Sequence, residues 1–115
     1  MAKDLSFWKY CGDREYCHRE IYEKLSNEEV TDGVATLPAD RIRAAIYSKF
    51  SEWEMLDEDN LELDEEAFQI FMTNQFVRFE CYGMTEQHMN TLIDIMLSFD
   101  CCLYDAEIDV RFDGK

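Results

Sequence analysis

Positive charge is scarce in the second half of this chain, where residues 51–115 hold three Lys and Arg against seventeen Asp and Glu. Residues 1–50 are nearly balanced, at eight against nine. So acidic a field disfavours nucleic acid and anionic membrane as partners, because both require surface cations. Glycine occurs only at Gly12, Gly33, Gly83 and Gly114. Scattered singly, these glycines read as turn punctuation and build no phosphate-cradling loop. Histidine is limited to His18 and His88, and no Cys-x-x-Cys or His-x-x-x-His pair is present. That removes the short ligand spacings of zinc sites, so no metal or cofactor is expected. No run approaches the roughly 18 apolar residues that span a bilayer, and the opening MAKDLSFWKY lacks the apolar stretch of a secretory signal. The five cysteines are odd in number and irregular in spacing, which suits a reducing compartment. A cytoplasmic protein is expected.

Burial is not lacking. Of 115 residues, 47% are hydrophobic and 14% aromatic, enough for one core, and a single domain over residues 1–115 is expected. Leu5 to Tyr10 reads as a first strand that ends at a Cys11-Gly12-Asp13 turn. Tyr16, Cys17, Ile21 and Leu25 then recur at helical spacing, predicting a helix from about Arg14 to Leu25. Pro38 suits the first turn of a second helix, whose apolar stripe is Ile42, Ala45, Ile46 and Phe50. Its Arg41, Arg43 and Lys49 read as a solvated basic face. Leu61 and Leu63 alternate with Glu62 and Asp64 as in a short strand. FQIFMT and FVRFECY flank Asn74-Gln75 as a tight hairpin, with a loop a residue or two longer if the weak turn signal fails. Thr85 is placed to cap a third helix that buries Met89, Leu92, Ile93 and Met96, and whose His88 faces solvent. Cys101–Tyr104 and Ile108–Phe112 form one bent strand or two short ones, and Gly114 and Lys115 should fray. The order β-α-α-β-β-β-α-β predicts an α+β domain, a mainly antiparallel sheet with helices packed on one face.

Nine carboxylates and no base occupy residues 52–66, EWEMLDEDNLELDEE. Asp57, Asp59 and Asn60 suggest calcium, but an EF-hand loop beginning at Asp57 meets Glu62 where glycine belongs and Phe68 where the bidentate glutamate belongs. Catalysis by a nucleophile would need a thiol or hydroxyl held beside a base. His18 diverges from Cys17 by about 100° on a helix, which leaves His88 with Cys81 or Cys101 as a remote pairing. No enzyme is expected.

A dense carboxylate surface steers and holds a basic protein. The residues expected to carry that contact are Glu52, Trp53, Glu54, Asp57, Glu58, Asp59, Glu62 and Asp64, with Leu56, Phe76 and Tyr82 as further apolar anchors. The opening DLSFWKY, the central FQIF and FVRFECYG strands and the closing CLYD and RF resemble small acidic bacterial immunity proteins of secreted polymorphic toxin systems. That resemblance implies a cytoplasmic inhibitor of one cognate toxin domain, of the nuclease type. The alternatives are a DNA-mimic inhibitor of a nucleic-acid-binding defence enzyme and a small cysteine/histidine enzyme.

Overall fold

The computed structural model describes residues 2–11 and 17–112. The chain runs β1 (Ala2–Trp8), α1 (His18–Ser26), α2 (Ala39–Lys49), β2 (Glu54–Met55), β3 (Asn60–Leu63), β4 (Glu66–Met72), β5 (Val77–Tyr82), α3 (Glu86–Ser98), β6 (Cys102–Asp105) and β7 (Val110–Phe112). The seven strands form one sheet in the order β2-β3-β4-β5-β1-β6-β7, with every pairing antiparallel. This is the α+β architecture expected from the sequence, with β2 added and the C-terminal strand divided in two.

Alternation sets the two faces, since successive strand residues point to opposite sides. Leu5, Phe7, Phe68, Ile70, Val77 and Phe79 face one side, where they bury Ile42 and Ile46 of α2 and Leu92 and Met96 of α3. The intervening residues build a second cluster on the other side, in which Trp8, Phe76 and Tyr104 pack against Ile21 and Leu25 of α1. Packing on one face thus holds for α2 and α3. The first helix crosses to the opposite face because its apolar residues meet strand positions of the other parity.

Boundaries moved where tertiary bonds compete with local pattern. The first strand spans Ala2–Trp8 because β5 pairs along most of it and β6 pairs at Ser6–Trp8. Tyr10 instead makes a lone bridge to Val34. The described part of α1 begins at His18; Gly12 to Tyr16 and the fraying expected at Gly114 and Lys115 lie outside the described residues. The β4–β5 hairpin takes the longer loop, closed by Thr73 N–H donating to the Phe76 carbonyl at 2.8 Å. Gln75 in that loop is a tether: its amide accepts from Thr31 N–H and donates to the Thr31 and Val34 carbonyls, each at 2.9 Å.

At the far end of β5, Gly83 sits at φ +63°, and a Cβ there would lie 2.9 Å from the Glu65 carbonyl oxygen. Only glycine fits without strain. The Thr85 hydroxyl then accepts from His88 N–H at 3.3 Å and caps α3.

Candidate interaction surface

The acidic run becomes a β2–β3 hairpin at one edge of the sheet, and a basic residue of α2 fixes it. Arg43 donates to the Glu58 carbonyl and to the Asp59 carboxylate, both at 2.9 Å, and Tyr47 OH donates to the same Glu58 carbonyl at 2.6 Å. Arg43 is therefore a structural clamp, contrary to its expected place on a freely solvated face. Inside the turn, the Asp57 carboxylate accepts from Asn60 Nδ2 and Asp59 N–H. Those bonds, the Asn60 side chain first, hold the Asp57 carboxyl below its ordinary value.

The expected partner residues separate. Glu52, Glu54, Asp57, Glu58 and Asp64 are exposed, and Asp59 and Glu62 are half-buried. Trp53 corrects the expectation of an exposed anchor: it is 8% exposed, with ring centroids 5.1 Å from Phe50, 5.4 Å from Phe68 and 5.2 Å from His88. Phe76 is likewise fully buried, beneath α1. Exposed apolar surface on the run comes from Met55 and Leu56, at 49% and 57%. The run is thus pinned at its base by Trp53 and at its tip by Arg43.

His88, expected to face solvent, turns inward. Its Nδ1 lies 2.8 Å from a Glu66 carboxylate oxygen that also accepts from Thr85 N–H at 2.7 Å. Burial pushes the Glu66 carboxyl up, but the His88 and Thr85 bonds outweigh it and the net shift is downward. The ring nitrogen of His88, weighed for a remote pairing with a thiol, is engaged by the Glu66 carboxylate. Burial raises the thiols of Cys81 to about 12 and Cys101 to about 11, which keeps both protonated. Among the described residues no three His, Cys, Asp or Glu are grouped to hold a metal ion.

Strand register brings together carboxylates that are distant in sequence. On the face opposite α2 and α3, Asp4 stands directly across from Glu80, and Glu54 directly across from Glu62. Tyr82 shares that face, paired with Ala67, and is 44% exposed. None of these four carboxylates has a Lys or Arg within ion-pair distance among the described residues. Asp4 and Glu80 escape sequence reasoning because each is one acid in a mixed strand. Period-two alternation places Glu80 outside, but only the β1–β5 register opposes it to Asp4.

Compared with protein-family models, curated proteins and solved structures, the chain matches none. No helix among the described residues is long and apolar enough to cross a membrane.

Proposed function

We propose that this chain is an acidic binding protein that neutralises a basic partner, acting as an immunity protein that blocks a nuclease-type toxin in the cytoplasm. The observation that carries the reading is the clamped β2–β3 hairpin. Arg43 and Tyr47 hold its turn through main-chain and side-chain bonds, leaving Glu54, Asp57 and Glu58 exposed around Met55 and Leu56. Carboxylates held in place lose less freedom on binding than a disordered acidic tail, and exposed apolar groups among them supply area that charge alone lacks. A nuclease that grips phosphates presents a basic cleft, to which such a surface is complementary in sign.

The test is capture from a source-cell lysate on immobilised protein at low and roughly physiological salt, where screening shortens to about 8 Å. Cleavage of nucleic acid by the retained protein is then assayed with and without the chain. One basic protein retained at both salts, inhibited, and lost on D57N/E58Q supports the reading. A diffuse set that washes off with salt, or a retained protein whose cleavage is unaffected, rejects it.

A further inference from the structure

Among the described residues, the face of the sheet opposite α2 and α3 is only half covered. Helix α1 is seated over Trp8, Phe76 and Tyr104, and no other described element is layered on the other end of the strands. On that bare end, Asp4, Glu80, Gln69 and Asn60 stand in one cross-strand row, and Tyr82, Ala67, Glu62 and Glu54 in the next. The base in the adjoining cross-strand row, Arg78, is turned away: it donates to Ser26 Oγ at 3.2 Å and lies 4.8 Å over the Phe71 ring. Like charges directly opposed across strands are destabilising when nothing compensates them. Two such pairs, Asp4 with Glu80 and Glu54 with Glu62, stand at opposite corners of the bare area.

We infer that this bare sheet face docks a basic amphipathic helix of the partner protein, laid beside α1 as a second helix in the same layer. The inference rests on the reading of the chain as a binder of a basic protein. Sign selects the partner's cations, since the corners carry four carboxylates that have no Lys or Arg partner among the described residues. Shape selects a helix, because the open area, two rows about 7 Å apart along the strands and about 19 Å across five of them, gives one helix of about 10 Å diameter a row of contacts on either side of its axis. The spacing is specific. The two carboxylate pairs are offset by three strand spacings and two residues, about 16 Å, and about eleven residues of helix rise the same distance and return to the same side. The partner helix therefore carries Lys or Arg at its two ends, about eleven residues apart on one face, with small or apolar residues between them. Those middle residues lie on Ala67 and Gln69, and a cation beside them meets the Tyr82 ring.

The probe is an 18-residue alanine-based helical peptide with two lysine pairs eleven residues apart on one face, compared with a peptide of the same composition whose lysines are spread around the helix. Binding is followed by amide chemical shifts of the intact chain. Expected are saturable shifts at Ala67, Gln69, Glu80 and Tyr82, binding roughly fivefold weaker for Tyr82→Ser and for Glu80→Gln, and little change for Glu107→Gln, which removes an exposed carboxylate from the turn between β6 and β7. Equal binding of both peptides, shifts confined to residues 57–59, or no saturable binding overturns the inference. The two proposals fail separately. A captured partner that is lost on D57N/E58Q but kept by Tyr82→Ser and Glu80→Gln removes only the helix site. A saturating peptide with no captured partner removes only the inhibitor reading.

Discussion

Arg43 shows how much of the acidic edge depends on one side chain. Its guanidinium bridges a main-chain carbonyl and a carboxylate on the turn, yet the pair is partly open to solvent, at 24% and 40% exposure for Arg43 and Asp59. Screening reduces the value of such a pair, so Arg43→Ala is expected to cost about 1 kcal/mol in denaturant unfolding. Its larger effect should be faster amide exchange at residues 58–60, with other elements unchanged; uniform exchange would show that the turn holds itself. Glu66 gives a pH effect whose sign follows from its depressed carboxyl. The stability it contributes is fully present above the ordinary glutamate value of 4.5 and is lost as pH falls through the lower folded value. Glu66→Gln should flatten that acid limb of the stability curve, and an unchanged limb would assign the acid sensitivity to other carboxylates.

One tight corner and one like-charge ladder govern the elements. Gly83→Ala places a Cβ 2.9 Å from the Glu65 carbonyl and forces alanine to φ +63°, so a loss of about 2 kcal/mol in unfolding free energy is expected. A neutral result would mean that the β3–β4 turn relaxes freely. In the β2–β3 ladder, Glu54 and Glu62 stand directly opposite. Glu62→Lys converts a like pair to an opposite one and should stabilise by about 0.5 kcal/mol while weakening any basic ligand, a trade measurable by thermal unfolding beside peptide titration. The element sequence was largely legible. Alternation in β4 and β5 and the Ile42, Ile46 and Leu92, Met96 stripes each record a buried face within a few residues. The two-residue β2 was not legible, because both of its side chains are exposed and only pairing with β3 makes it a strand.

At the scale of the molecule, a net charge of −15 meets few internal counter-ions, with three ion pairs among the described residues, one of them through His88. Self-repulsion of this kind weakens as added salt shortens screening from about 30 Å at 0.01 M to about 10 Å at 0.1 M. The unfolding midpoint should therefore rise with sodium chloride over that range, and a flat response would show the carboxylates already compensated. The α+β class, the helix stripes, the long hairpin and the acidic run are properties of the sequence, because periodicity and charge are local and survive without knowledge of neighbours. The tertiary structure alone decided that α1 crosses to the second face, that Trp53 goes into the core while Met55 and Leu56 stay out, and that Asp4 meets Glu80. Each of those depends on which strand lies beside which. Pairing between segments as far apart as β1 and β5 is fixed by the shared core and not by any residue's immediate neighbours.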